Sequence, residues 1–252
     1  MTDKKLDKNL LLKDAQDGYD ARLNYIRPVD AATLIIVDSS YQKPKVLMGK
    51  RSAAHKFMPN KFVFPGGRVD IADTRLRVDD ELRAPVMQRL RADTRTRMRD
   101  SRLRAMALAA IRETYEETGL LIGRESHTPL TSKSPEWQSF FNHGITPSLK
   151  NIDFIGRAIT PTFRPRRFDT RFFVAEISEL YNDPQKLSGT GELLELHWLN
   201  FDEAIKKDLP SITHYVLLEL QKRLQHPMPE RYKKPAFFYR TLHGKPAMSE
   251  LR

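Results

Sequence analysis

Gly66-Gly67-Arg68-Val69-Asp70 and, after a long arginine-rich stretch, Ala109-Ala110-Ile111-Arg112-Glu113-Thr114-Tyr115-Glu116-Glu117-Thr118-Gly119-Leu120 decide how this chain is read. Ala105 to Tyr115 holds strong helix formers and neither Gly nor Pro, which predicts a helix. Gly119 sits where a helix-terminating glycine belongs. On that helix Glu113, Glu116 and Glu117 are spaced i, i+3, i+4 and share one face. Crowded carboxylates repel unless something cationic sits among them, and grouped oxygen donors suit a hard cation such as Mg²⁺ or Mn²⁺. The alternative is a solvated acidic face. Arg112 leaves the helix about 100° away from Glu113 but is long enough to reach back and orient a carboxylate.

The string Arg-Glu-x-x-Glu-Glu-x-Gly fixes five positions, and its chance rate is roughly one in a million per site. It follows a Phe64-Pro65-Gly66-Gly67 turn. In this the sequence resembles the Nudix hydrolases, whose box reads Gly-x5-Glu-x7-Arg-Glu-(apolar)-x-Glu-Glu-x-Gly-(apolar). Gly67 matches the first Gly, and Arg112, Glu113, Glu116, Glu117, Gly119 and Leu120 match the end. There are three departures. Asp73 stands where the first Glu is expected, and Thr114 replaces an apolar residue. The seven-residue spacer becomes Thr74 to Ile111, 38 residues (111 − 74 + 1), an insertion of 31.

The chain has 252 residues, enough for one large domain with a proper core. No apolar run reaches the length of a membrane span. The charged start, Met1 to Lys8, lacks the apolar core of a signal peptide. No cysteine is present, which excludes disulfides and thiolate metal sites and fits a reducing cytoplasm. Lys and Arg outnumber Asp and Glu by 43 to 32, a net charge of +11 that favours anionic partners or serves solubility.

Residues 1–27 read as a polar N-terminal arm. Ala31–Val37 and Lys45–Arg51 read as a strand pair, followed by a loop and short strand over 57–67. The insertion, 74–104, carries ten arginines between Arg75 and Arg104. Its apolar residues are too sparse for a strong stripe, so it reads as one or two helices packed weakly on the core. It lacks the interleaved aromatics of a single-strand nucleic-acid surface, so RNA binding is open but not favoured. A helix near Glu136–His143, strands over Ile152–Thr160, Phe168–Glu176 and Gly191–Leu199, and helices over Asp202–Lys207 and Ile212–Gln225 follow. Asp202 or Ser211 is the candidate N-cap. Residues 226–252, rich in proline, read as a tail crossing the surface. Residues 28–225 would form the catalytic domain.

The resemblance implies an α/β/α sandwich with a mixed central sheet and a helical insertion inside the box. It implies hydrolysis of a small-molecule diphosphate by a Mg²⁺- or Mn²⁺-dependent enzyme. Glu113, Glu116 and Glu117 would hold the metal, with a carbonyl of the Gly67 turn as a further ligand. Arg112 would orient a glutamate. The general base is Glu117 or Glu192, and Glu192 is also a candidate ligand. The box insertion, Phe57-Met58-Pro59 and Arg166-Arg167-Phe168-Asp169-Thr170 together resemble the Nudix 19-type acyl-CoA diphosphatases. Arg51, Arg68, Arg166 and Arg167 would then meet phosphates. An ADP-ribose or nucleotide-sugar hydrolase and a non-catalytic Nudix-like module that binds RNA or a nucleotide are the alternatives.

Overall fold

The computed structural model describes Leu11 and residues 26–54, 58–92, 98–128, 130–162, 164–189, 191–243 and 245–252. Most of the arm expected over 1–27, together with Phe57, Arg95 and Arg97, lies outside them.

The chain runs through β1 (Val29–Asp38), β2 (Lys45–Arg51), β3 (Phe62–Val63), β4 (Gly66–Arg68), α1 (Ile71–Arg75), α2 (Ala84–Arg91) and α3 (Asp100–Thr118). It continues through β5 (Gly123–Glu125), α4 (Pro135–Phe141), β6 (Ile145–Pro147), β7 (Asp153–Ile159) and β8 (Phe168–Glu176). The last part holds β9 (Leu193–Asn200), α5 (Phe201–Ile205), α6 (Ser211–Leu224), α7 (Met228–Arg231), β10 (Ala236–Leu242) and β11 (Lys245–Leu251).

Among the described residues the main sheet has nine strands, ordered β11-β10-β7-β8-β1-β2-β3, with β4 on β1 and β9 on β2. Pairs β1–β8 and β10–β7 are parallel, while β1–β2, β7–β8 and β10–β11 are antiparallel, so the sheet is mixed. One face is covered by α3 with Trp137 and Phe140 of α4, the other by α6 with Phe201 of α5. The α/β/α sandwich is therefore the observed architecture. The central strand β1 serves both layers, Leu34 and Ile36 facing one and Ile35 and Val37 the other, as the period-two alternation of side chains requires.

Helix α3 begins earlier than its alanine-rich core suggests and ends where expected. Gly119 closes it in the left-handed conformation, φ 74°, and donates its N–H to the Tyr115 carbonyl at 2.8 Å. Ala105, Ala107, Ala109 and Ala110 are fully buried, and their small side chains let the helix lie close to the sheet. Thr114 costs little in the core because its hydroxyl donates to the Ala110 carbonyl at 2.7 Å.

Three expectations need correction. The described residues of the insertion are firmly packed, not weakly. Leu82, Val86 and Leu90 are buried in the α3-side core, and Arg89 crosses to Asp153 on β7 at 2.6 Å. Spacing alone hid this because a buried arginine counts as polar in any apolar stripe. The C-terminal segment is no surface tail. Strand β10 extends the sheet beside β7, burying Phe237 and Phe238, and β11 pairs with β10. It fits because Gly156 opposes Phe237, where a Cβ would lie 2.0 Å from the ring. The cap of α5 is Asn200, whose carbonyl Oδ1 accepts from Glu203 N at 3.0 Å, in place of Asp202, and α6 already includes Ser211, with Pro210 in the cap position. No helix among the described residues is long and apolar enough to cross a membrane.

Candidate active site

Strand β4 delivers the glycine turn onto the last turns of α3. Gly66, with φ 156°, leaves room for nothing larger, since a Cβ would lie 2.4 Å from the Ala32 carbonyl oxygen. Its N–H donates to Glu117 Oε2 at 2.9 Å. A Cβ on Gly67 would sit 2.4 Å from the Glu113 carboxylate. Backbone and glutamates thus meet with no side chain between them.

Arg112 is the cation among these carboxylates. Its guanidinium is buried and donates through Nη1 to Glu113 Oε1 at 2.9 Å and Glu116 Oε1 at 2.8 Å. Nε reaches Asp73 Oδ1 at 3.0 Å, and Nη2 reaches Asp73 Oδ2 at 3.2 Å and the Arg68 carbonyl at 2.8 Å. The helix angle that separates Arg112 from Glu113 at the backbone is bridged by the length of the side chain. Burial alone would lower the pKa of Arg112, but the bonds to Asp73, Glu113 and Glu116 raise it above the usual arginine value, so the guanidinium stays charged.

Asp73 has a role that spacing did not reveal. It is buried, accepts from Arg112, from Trp137 Nε1 at 2.8 Å and from Asp70 N at 2.8 Å, and locks the short helix α1 against α3 and α4. Its carboxylate sits behind Arg112 and anchors the guanidinium. The one available signal was the Glu-to-Asp change itself.

Burial drives up the carboxyls that face the cleft. Glu113 is raised to about 7, with repulsion from Glu116 and Asp73 opposing the help of Arg112. Glu117 is raised to about 8 by burial, against the Gly66 N–H and the charge of Arg51. Glu116, less buried, is raised as well. A divalent cation would relieve this accumulated cost, and the donors are the hard oxygens such a cation prefers. Glu113, Glu116 and Glu117 therefore fit a Mg²⁺- or Mn²⁺-type ion in chemistry and charge. They do not form a closed cage: among the described residues no group of three acidic or histidine side chains encloses a common point, because Glu113 and Glu116 turn onto Arg112.

The cleft above these groups measures about 890 Å³. It collects most of the residues singled out from the sequence: Gly67, Arg112, Glu113, Glu116, Glu117, Arg51, Arg68, Arg166 and Glu192. Glu192 is exposed and stands just before β9, where its carbonyl accepts from Ser52 N at 3.1 Å. Arg51, at the end of β2, is held below the usual arginine value by its burial, against the opposing charges of Glu117, Glu192 and Glu113. Arg167 does not join them. It is buried, and its guanidinium donates to the Thr160 carbonyl at 2.9 Å and the Ile26 carbonyl at 2.6 Å, so it ties the turn to the chain before β1 and is unsuited to binding phosphate. Sequence reasoning missed the far wall, where Tyr115 OH lies 2.9 Å from Ser139 Oγ and 3.0 Å from His143 Nε2.

The model of the NUDT19 Nudix domain matches residues 29–210. The Caenorhabditis elegans protein "Putative nudix hydrolase 7" is 29% identical over 234 residues, 81% of this chain and 65% of that protein. The chain thus spans somewhat less than two thirds of that relative's length. The crystal structure of a Nudix hydrolase from Alicyclobacillus acidocaldarius superposes with a TM-score of 0.57 at 27% identity, covering 76% of this chain and 90% of the other.

Proposed function

The chain belongs to the Nudix hydrolase family, and from that premise we propose that it cleaves a diphosphate bond in a nucleoside-diphosphate-linked metabolite, with CoA or an acyl-CoA as substrate. One observation carries the reading: the box glutamates of α3 face the Gly66–Gly67 turn in a cleft that also gathers Arg51, Arg68 and Arg166. Glu113, Glu116 and Glu117 would hold Mg²⁺ or Mn²⁺, with the Gly67 turn supplying a carbonyl. When bound, that ion supplies charge neutralisation on the diphosphate and an activated water.

The residues of the chain do the rest. Arg112 holds Glu113 and Glu116 by charge-assisted hydrogen bonds, fixing where their free oxygens point. Glu117 is held by the Gly66 N–H. Arg51 and Arg166 offer guanidinium groups to the phosphate oxygens, stabilising the charge that builds up as the bond breaks. Glu192 is the favoured proton acceptor, because Glu117 is committed to the turn while Glu192 is exposed and lines the same cleft.

A nucleic-acid role for the insertion has little support. Arg89, Arg91, Arg102 and Arg104 are spent on Asp153, Asp100, Asp30 and Glu81. The test is a mass-spectrometric screen of CoA, acetyl-CoA, ADP-ribose and dinucleoside polyphosphates with Mg²⁺ and with Mn²⁺. Preferred cleavage of CoA compounds is expected. Preferred cleavage of ADP-ribose would keep the reaction class and replace the substrate.

A further inference from the structure

A second cavity, of about 150 Å³, adjoins the carboxylate cleft, and Arg51, Gly66 and Phe168 belong to the walls of both. It lies on the α6 side of the sheet. Val63, Phe64, Ala158, Thr170, Phe172 and Ile212 give it walls from β3, β7, β8 and α6 and from the residue following β3. Its lining is mostly hydrocarbon and aromatic. The polar side chains along it are threonine hydroxyls, one tyrosine and two arginines, and among its lining residues there is no Asn, Gln, Asp or Glu. One of those hydroxyls, Thr160 Oγ1, already accepts from Phe168 N at 3.1 Å.

That composition selects the occupant. A nucleobase carries donors and acceptors around its edge and loses them to a dry wall unless amides or carboxylates meet them. This wall has no side-chain amide or carboxylate to meet them. An aliphatic group gains by leaving water and asks for no partner. A cavity of about 150 Å³ lined by apolar side chains accepts a molecule the size of benzene, so the space suits about six carbon atoms.

We propose that this cavity binds a compact aliphatic group on the non-nucleotide half of the substrate, anchored beside Arg51 while the diphosphate lies over the α3 glutamates. The nucleoside half then extends the other way, toward Tyr115 and Ser139, which line the cleft alone. The orientation rests on the hydrolase reading given above; the cavity's preference for aliphatic over nucleobase chemistry does not.

The test needs no turnover. Protein labelled at the methyl groups of alanine, valine and isoleucine is titrated with 3,3-dimethylbutan-1-ol and, separately, with adenosine. The alcohol is expected to shift the Val63, Ala158, Ile159 and Ile212 methyl signals saturably, and adenosine to leave them in place. Thr170→Leu, which fills the cavity, should weaken the alcohol by about tenfold or more. Ala158→Val provides the same test should Thr170→Leu fail to fold. If adenosine shifts these methyls and the alcohol does not, or if neither shifts them, the inference is overturned. Saturable alcohol binding in a protein that cleaves no diphosphate would instead leave this inference standing and remove the hydrolase reading.

Discussion

Arg112 and Gly67 show how a few atoms set the geometry of the cleft. Arg112 replaces a repulsive cluster with a bonded one, and Gly67 leaves the space that the Glu113 carboxylate fills. In Gly67→Ala the nearest atoms to the new methyl are the far end of a flexible side chain, the Glu113 carboxylate. The fold therefore absorbs it, and Glu113 swings aside. We expect Tm to change by less than about 3 °C while kcat/KM falls by about a hundredfold, read by calorimetry and steady-state kinetics. The raised carboxyls give a second prediction. In the unfolded chain Glu113 and Glu117 ionise near the ordinary carboxylate value; in the fold they do so at about 7 and about 8. Between those limits the folded chain binds more protons, so the stability tied to their neutral forms is full in acid and is lost as pH rises through 7 to 8. Metal-free protein should lose roughly 5 °C or more of Tm between pH 5.5 and 8.5, and Mg²⁺ or Mn²⁺ should restore it at the alkaline end. A flat metal-free profile would remove the physical case for a cation at these residues.

Helix α3 was the most legible element because its signals agree: alanine-rich propensity, a terminating glycine and three glutamates on one face. The insertion was the least legible, because long-range charge pairing holds it. Arg89 looks like solvated surface in the sequence, yet it lies buried between Asp153 and the Lys234 carbonyl, at 2.6 Å from each. Nothing local announces a partner 64 positions away. Arg167 misled in the opposite direction, since a basic turn beside a phosphate site invites a binding role while backbone carbonyls claim the guanidinium. The buried pairing can be tested at the scale of the element. Asp153→Ala leaves Arg89 buried without its carboxylate and should cost about 3 kcal/mol in urea unfolding. Hydrogen exchange should rise across residues 84–91 before it rises in α3. Uniform exchange would mean that the insertion does not depend on this pair.

At the scale of the molecule, two layers of helices clamp a mixed sheet, and the glutamate-bearing helix α3 lies on one face while the apolar cavity lies on the other. The cleft sits where β4 and the end of β2 meet α3, so groups from the sheet and from the α3 layer reach it. The C-terminal hairpin was illegible because prolines at 227, 229 and 235 introduce it and because Phe237 and Phe238 are buried on opposite faces, which erases the polar alternation. It completes the sheet beyond β7. Deleting residues 236–252 removes two buried phenylalanines, each worth about 3 kcal/mol or more, and bares the edge of β7. The truncated chain should fail to give a cooperative unfolding transition by circular dichroism.

The central claim is that the α3 glutamates run a cation-dependent diphosphate cleavage. The most direct measurement is hydrolysis of the diphosphate panel by wild type and Glu116→Gln, with Mg²⁺, with Mn²⁺ and with chelator, beside the Tm of both proteins. The account predicts cation-dependent turnover in wild type, a loss of about a hundredfold or more in Glu116→Gln, and a mutant Tm within a few degrees of wild type. Equal turnover by the two proteins, or turnover unaffected by chelator, would contradict it.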